Sequence, residues 1–323
     1  MATRHQAAES RTGGLKAAPR HPWTHWLGAL FGLAVLGLLS WAATKVDWPG
    51  VLQALKQVEP GTLVVAAGLC VVSHLIYSCY DLIGKHWTGH GVPTRRVMLI
   101  TFISYAFNLN LGSLVGAFAI RLRLYAHEGL RQPVPTKVLA LSLSTNWLGY
   151  GVLAGGLFLG GWLSPPPEWP LSAAALRGLG GLMWVLAALY LAWCAFARRR
   201  EYMLRGHQIV LPTIRLAGVQ LMVSAANWLT IGLIIYVLLQ EAVPYGTTLA
   251  VLLVAAVAGV VAHVPAGLGV LEGVFVALLG TTLGPSQVLA ALIAYRALYY
   301  LAPLVVAAAA YFVLEARSRR YAR

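Results

Sequence analysis

Residues 261–273, VAHVPAGLGVLEG, decide how this chain folds. A histidine, a helix-breaking proline, two glycines two positions apart and a carboxylate stand together here, with long apolar sequence on both sides. These residues are His263, Pro265, Gly267, Gly269 and Glu272. Proline removes a backbone donor and glycine permits a tight reversal of the chain. The stretch therefore predicts a broken helix that carries ionisable groups inside an apolar region.

The composition is that of a membrane protein. Of the 323 residues, 59% are hydrophobic and only 11% are charged, and the mean hydropathy is +0.72. Windows such as 27–43 and 63–72 are apolar around the whole helix, as a lipid-facing span requires. We therefore predict an all-α polytopic membrane protein whose first apolar segment is a retained helix and not a cleaved signal. Cys70, Cys79 and Cys194 lie in apolar windows and are interpreted as core residues.

The net charge of +14 predicts the orientation of the chain in the membrane. Most of the 24 Lys and Arg residues fall in short blocks between apolar spans, which is typical of cytoplasmic loops and not of a nucleic-acid-binding surface. The basic blocks are 1–26, 84–96, 121–137, 198–215 and 315–323. The segments poor in Lys and Arg are 163–174, 240–246 and 281–287. Both termini are predicted to be cytoplasmic, and nucleic acid is not expected as a partner.

Two apolar segments do not fit a simple alternation of crossings. Segment 97–120 lies between two basic loops, and segment 247–280 lies between two loops poor in basic residues. Each is predicted to form a re-entrant hairpin that contains a broken helix and returns to the face from which it entered. The alternative is two kinked but ordinary helices with an imperfect charge rule. About six transmembrane helices remain, at 27–44, 62–83, 138–162, 175–197, 216–239 and 288–314.

The order of crossings and hairpins predicts an inverted repeat, an arrangement found in transporters. A crossing, a hairpin and a crossing at 62–162 are followed by the same order in the opposite orientation at 216–314. The two asparagines and the glycine of NLNLG, 108–112, have the same spacing as the histidine, proline and glycine of HVPAG, 263–267. The predicted parts of the chain are a disordered basic cytoplasmic tail at 1–26, a single transmembrane domain at 27–314 and a basic cytoplasmic tail at 315–323.

A hairpin tip inside the membrane predicts an internal cavity, because its unpaired backbone groups must be buried in protein or face water. The half-helix that starts near Leu268 would direct the positive end of its dipole inward, where an anion is favoured. Glu272 lies one turn further and requires a cation, a proton or water as its partner. Arg296 is the first candidate for that partner, and Arg121 is the second. A break that serves helix packing alone is the alternative.

Two roles are open for Arg296. Its planar guanidinium could hold a phosphate through two parallel hydrogen bonds, with Tyr299 among the flanking tyrosines, or it could form a structural ion pair with Glu272 and bind no ligand. A polar run at 142–146 either joins helices or lines a path. The complete set of predicted substrate-binding residues is Arg296, Glu272, Arg121, Asn108, Asn146, His263, Gly267, Gly269 and Tyr299.

Motifs of ordinary enzymes are missing from the sequence. It contains no Walker loop, no GxSxG elbow and no dinucleotide fingerprint. His86 and His90 are four residues apart, as in some metal sites, but no HExxH carboxylate accompanies them and the neighbouring glycines favour a loop. We therefore expect a protein that is not an enzyme, with no cofactor and no metal.

Three segments resemble a known family. FNLNLGSLVGAFAIRLRLY (107–125), VPAGLGVLEG (264–273) and AYRALYYLAPL (294–304) are similar to the transmembrane region of bacterial lysylphosphatidylglycerol synthase/flippases, especially their stand-alone YbhN-like inner-membrane branch. The resemblance extends along nearly the whole chain from about Trp41. Many relatives carry a proline and a glycine pair in the first hairpin, whereas this chain has LGS at 111–113, so a weaker break is expected there.

The resemblance implies a phospholipid translocase of the bacterial cytoplasmic membrane, without the soluble synthase domain that uses aminoacyl-tRNA. Its substrate would be a membrane phospholipid with an anionic or aminoacylated head group, and a lipid-synthesising enzyme is an expected partner. Two other classes stay open. One is an ion- or proton-coupled transporter of a small solute that uses Glu272 and His263 as protonatable groups. The other is a non-transporting scaffold for a lipid-modifying enzyme, in which the buried charges are structural.

Overall fold

The computed structural model describes Thr44 and residues 47–163, 172–204 and 207–321. The predicted tail 1–26 and the predicted crossing 27–44, except for Thr44, lie outside these residues. The described residues are almost entirely helical. The α-helices are α1 Trp48–Lys56, α2 Pro60–Thr88, α3 Thr94–Leu111, α4 Arg121–His127, α5 Val134–Leu159, α6 Ala173–Phe196, α7 Ile214–Leu238, α8 Tyr245–Ala262, α9 Val270–Leu283, α10 Pro285–Tyr295 and α11 Ala302–Tyr321.

Six helical stretches in the described part of the chain are long and apolar enough to cross a membrane. Five of them, α2, α5, α6, α7 and the run Pro285–Ala316, coincide with predicted crossings, so the all-α polytopic fold is confirmed. The sixth is α8, which the sequence assigns to one arm of the second hairpin. Its 18 residues extend about 27 Å, close to the thickness of the hydrocarbon core. The re-entrant course of both hairpins and the inverted repeat therefore stay predictions.

Polar side chains lie inside the bundle and large apolar side chains lie outside, which is the distribution that lipid favours. Val64 on α2 is 72% exposed and Val305 on α11 is 70% exposed. The polar residues of α2 and α7 are instead buried against neighbouring helices, since a polar group facing hydrocarbon would lack a partner. The buried polar residues of these two helices are Ser73, His74, Ser78, Asp81, Gln220, Ser224 and Asn227.

Local sequence fixes several helix ends. The hydroxyl of Thr213 accepts a hydrogen bond from the Leu216 N–H at 3.2 Å and caps the start of α7. Helix α2 begins with Pro60, whose missing N–H costs nothing at a first helical position. It ends at Gly89, which adopts a left-handed conformation with φ of 68° and donates to the Lys85 carbonyl. These residues therefore define the start of α7 and both ends of α2.

Helix α3 breaks at Gly112, which has φ of 84°. After Ser113, the chain continues as a π-helical segment, Leu114–Ile120, that leads into α4. A Cβ atom built on Gly116 would lie 2.0 Å from the backbone nitrogen of Asn108, whereas a continuous helix would separate these residues by about 12 Å. The chain therefore folds back on α3 even though the sequence offers only one glycine and no proline at the break.

The close approach at Gly116 gives a testable prediction. Gly116→Ala should lower the free energy of unfolding by at least about 1–3 kcal/mol, because the clashing atoms belong to backbone and cannot rotate away. Gly218→Ala on α7 is the matched control, since a Cβ there meets nothing within 4 Å and alanine favours a helix by about 0.5–1 kcal/mol. Thermal unfolding in detergent measures both. Equal melting temperatures for the two variants would contradict the fold-back.

The second break follows α8. His263 ends that helix with φ of 54°, and a short 3₁₀ turn, Pro265–Gly267, connects it to α9. Ala266 has φ of 58°, and Gly267 and Gly269 are also left-handed, with φ of 56° and 77°. Glycine adopts this conformation without strain, but histidine and alanine do not. The turn therefore needs stabilising contacts from elsewhere in the chain.

Two of the predicted basic segments, 198–215 and 315–323, contain regular secondary structure. The predicted basic loop 198–215 contains a short antiparallel hairpin of β1 Glu201–Leu204 and β2 His207–Val210, in which Glu201 is opposite Val210. Helix α11 continues to Tyr321, so most of the predicted tail 315–323 is helical.

Candidate functional site

A cavity of about 610 Å³ lies where the two helix breaks meet. We call it the central cavity. Asn108, Gly112 and Ser113 line it from the first break, and His263 and Gly267 line it from the second. The structure thus brings both breaks to one cavity. Its other lining residues are Tyr105, Leu109, Leu111, Trp228, Ile231, Leu252, Ala255, Ala256, Gly259, Val260, Val264, Ala266, Leu271, Tyr295, Tyr299 and Tyr300.

A chain of hydrogen-bonded side chains, which we call the hydroxyl wall, begins at Tyr105 and Tyr299 in the lining of the central cavity. The Tyr299 hydroxyl lies 2.9 Å from the Tyr105 hydroxyl and 2.8 Å from the hydroxyl of Ser73. Ser73 in turn donates to the Asn227 side-chain oxygen at 2.8 Å. Tyr105 and Tyr299 are both buried, so these bonds join α2, α3, α7 and the π-helical segment Arg296–Leu301. Tyr299 was predicted as a site residue from the sequence, whereas Tyr105 was not, because it belongs to no motif.

Arg296 holds the second break in place. Its Nε donates to Glu272 Oε1, and its Nη2 donates to Glu272 Oε2 at 3.1 Å. Nη1 and Nη2 also donate to the carbonyl oxygens of Ala266 and Gly267, both at 3.1 Å. The guanidinium therefore has partners for four of its five N–H groups. The ring of Tyr300 lies under its carbon at 5.1 Å and adds a cation–π contact.

Arg296 and Glu272 form an ion pair in the structure. This pair is one of the two roles that the sequence left open for Arg296. The guanidinium is directed at the turn and at the carboxylate, and Arg296 is not among the residues that line the central cavity. A phosphate could reach it with two hydrogen bonds only after some of these contacts had opened. Arg296 is therefore first a positioning residue for the turn.

Glu272 supplies the anion for the start of α9. Its Oε2 accepts a hydrogen bond from the Gly269 N–H at 2.9 Å, and Gly269 is the residue that caps this helix. The helix begins at Val270, two residues after the predicted start near Leu268. A carboxylate at a helix N-terminus is stabilised by the helix dipole. The predicted anion position at this helix end is thus occupied by a side chain of the chain itself.

Arg121 pairs with Asp81 and not with Glu272, for which the sequence suggested it as the second candidate partner. It is 1% exposed, and its Nη1 lies 3.3 Å from Asp81 Oδ1 and donates to the Ser142 hydroxyl at 3.3 Å. The Tyr125 hydroxyl donates to the other oxygen of Asp81 at 2.8 Å, so Asp81 connects α2 to α4 through both of its oxygens. Arg121 neither pairs with Glu272 nor lines the central cavity. In this structure Arg121 forms a buried ion pair, and its role in binding substrate stays a prediction.

His263 and Asn146, two other predicted substrate-binding residues, have different neighbours in the structure. His263 lines the central cavity, and its Nδ1 lies 2.8 Å from the Val261 carbonyl oxygen. Asn146 is outside that lining, and its carbonyl oxygen accepts hydrogen bonds from Ser224 and Trp228 of α7. The polar run on α5 therefore joins helices at this point. Among the described residues, no group of three potential metal ligands occurs, at His86 and His90 or elsewhere.

The family profile described as "Lysylphosphatidylglycerol synthase TM region" matches residues 26–307, which include both breaks and all of the central cavity. The chain belongs to the lysylphosphatidylglycerol synthase transmembrane family. The sequence resemblance is thus confirmed, and with it the assignment of the chain as an integral membrane protein.

Three relatives of this chain differ in the share of their own length that the similarity covers. "Inner membrane protein YbhN" of Escherichia coli is 44% identical over 90% of this chain and 92% of its own length. "Uncharacterized protein slr0712" of Synechocystis sp. is 26% identical over 86% of this chain and 87% of its own length. "Phosphatidylglycerol lysyltransferase" of Staphylococcus haemolyticus is 24% identical over 86% of this chain but only 32% of its own length.

Proposed function

We propose that this membrane protein translocates phospholipids and is not an enzyme. The head group passes through the central cavity while the acyl chains stay in the bilayer. The supporting observation is that both helix breaks face one cavity of about 610 Å³, which lies within the range of about 300–1,000 Å³ found for ligand sites. Broken helices around a shared cavity are also the usual construction of transporter sites.

The lining chemistry fits a polar head group next to apolar chains. Asn108, Ser113 and His263 supply polar side chains, four tyrosines and a tryptophan add aromatic surface, and most of the other lining residues are aliphatic. No Lys, Arg, Asp or Glu stands among the described residues that line the cavity. We infer that recognition uses hydrogen bonds first, and that the Arg296–Glu272 pair engages an anionic or aminoacylated head group when the pair opens.

The relatives support the same substrate class and location. The relative from Staphylococcus haemolyticus has phosphatidylglycerol in its name, and the relative from Escherichia coli is named as an inner membrane protein. We propose a bacterial cytoplasmic membrane as the location, with both termini cytoplasmic, phospholipid as the substrate and a lipid-synthesising enzyme as a partner. The basic loops of the sequence support that orientation.

A plug in the central cavity tests the proposal. Ala256→Trp places a large ring in the cavity that Ala256 lines and should slow lipid movement about tenfold or more, because the head group loses its path. Reconstituted vesicles with a head-group-labelled phospholipid and an external quencher give the rate. Val261→Trp, five residues further along the chain and 70% exposed, is the matched control and should keep the wild-type rate.

Two results would reject the proposed function. The first is wild-type protein that moves lipid no faster than protein-free vesicles. The second is an Ala256→Trp variant that is folded and fully active.

A further inference from the structure

A second opening lies on the other side of the hydroxyl wall and faces the lipid. We call it the lateral groove. It has a volume of about 560 Å³ and runs between α2, α3 and α11. Val71, Leu75 and Val306, which line it, are 60%, 51% and 59% exposed on the outer surface of the bundle. The remaining lining residues are Ala67, Cys70, His74, Ser78, Met98, Leu99, Phe102, Leu298, Ala302 and Pro303.

Three aromatic rings separate the lateral groove from the central cavity. His74 lines the groove, whereas Tyr105 and Tyr299 line the cavity. The His74 ring centroid lies 5.3 Å from that of Tyr105 and 4.9 Å from that of Tyr299. The two openings are therefore one layer of side chains apart.

His74, which lines the lateral groove, carries an unused hydrogen-bond acceptor. Its Nδ1 lies 2.9 Å from the Cys70 carbonyl oxygen, and a carbonyl only accepts, so Nδ1 carries the proton. In the neutral ring Nε2 is then a bare acceptor on the side of the imidazole away from its own helix backbone. The residue is 5% exposed, and Nε2 is a buried atom with no hydrogen-bond partner among the residues that the structure describes. A buried polar atom without a partner requires an explanation such as a bound group.

We propose that the lateral groove docks a phospholipid whose head group carries a hydrogen-bond donor, and that His74 Nε2 accepts that hydrogen bond. An ammonium group or a hydroxyl group can donate, whereas the quaternary ammonium of a choline head group has no N–H. The apolar residues on the outer rim of the groove receive the acyl chains. This inference rests on the proposed function in one respect, since it places the docked lipid directly outside the central cavity.

Photocrosslinking in nanodiscs tests the docking site. A benzophenone amino acid at Leu75, on the outer rim of the groove, is compared with the same probe at Val64, which lies on the lipid-facing surface of α2 outside the groove. The nanodiscs contain equal amounts of phosphatidylethanolamine, phosphatidylglycerol and phosphatidylcholine, and mass spectrometry counts the adducts. We expect the donor lipids to exceed phosphatidylcholine at Leu75 by about 2- to 10-fold relative to Val64, the ratio that one hydrogen bond supports. The ethanolamine-to-glycerol ratio distinguishes ammonium from hydroxyl.

Two variants assign that enrichment to His74. His74→Phe keeps a ring but removes the acceptor and should reduce the Leu75 adducts to the composition found at Val64. His74→Gln provides an amide oxygen as acceptor and should retain part of the enrichment. Equal adduct compositions at the two probe positions, or enrichment that persists in His74→Phe, would overturn the proposal. Capture does not require translocation, so enrichment in a protein that moves no lipid supports the docking site while rejecting the proposed function.

Discussion

Arg121→Met should lower the free energy of unfolding by about 3–5 kcal/mol, which corresponds to a fall in melting temperature on the order of 10 °C. The variant leaves Asp81, which is fully buried, without its cation. The Tyr125 hydroxyl still donates to that carboxylate, but one hydrogen bond does not compensate for a buried charge. Thermal unfolding of the purified protein in detergent measures the effect.

Arg123→Met is a matched control two residues along the same short helix. Arg123 is 52% exposed and pairs at 2.6 Å with Glu315, which is 15% exposed. Because this pair is only partly buried, Arg123→Met should cost less stability than Arg121→Met. The double variant Arg121→Met with Asp81→Asn should recover much of the lost stability, because it removes both charges together. A double variant as unstable as Arg121→Met would show that the ion pair is not the cause.

Arg296→Met should slow lipid translocation about 100-fold. The guanidinium donates to the carbonyls of Ala266 and Gly267 and so holds a turn in which His263 and Ala266 are left-handed. Each such residue costs about 1–3 kcal/mol, and a loss of about 3 kcal/mol would deplete the observed turn about 100-fold. Stability should fall less than in Arg121→Met, because Glu272 keeps the Gly269 N–H and is partly exposed.

Arg296→Lys is the graded control for this prediction. Lysine keeps the positive charge for Glu272 but cannot also reach two carbonyl oxygens with a planar fork, so an intermediate rate is expected. The vesicle assay with quencher measures all three proteins, and melting temperatures show that each is folded. A wild-type rate in Arg296→Met, and again after Glu272 is made apolar as well, would show that translocation does not depend on this ion pair or on the turn that it holds.

The spans and the second break could be predicted because they depend on local sequence. Hydropathy gives the positions of α2, α5, α6 and α7. A proline with two glycines ends α8 independently of how the rest of the chain packs. The first break is harder to predict, since Gly112 is its only conformational signal and the fold-back is stabilised by the backbone contact at Gly116.

The partners inside the bundle could not be predicted from spacing. Asp81 and Arg121 are 40 residues apart, and only the packing of α4 against α2 and α5 decides that they meet. The left-handed conformation of Ala266 could not be predicted either, because alanine is not a residue that usually adopts it. The pair of Arg296 with Glu272 was predicted, since both are ionisable residues at similar depth, but its contacts with the turn carbonyls depend on the fold.

The Glu272 carboxylate, which accepts a hydrogen bond at the start of α9, is part of the same chain. It therefore competes with any anion from outside for this helix end. Any outside anion that binds this helix end must displace a group whose effective concentration, set by a tether of three residues, is in the millimolar range or above. A scarce solute in water does not reach that concentration, whereas a molecule confined to the two-dimensional bilayer does. The competition therefore selects against dilute ions and in favour of components of the membrane itself.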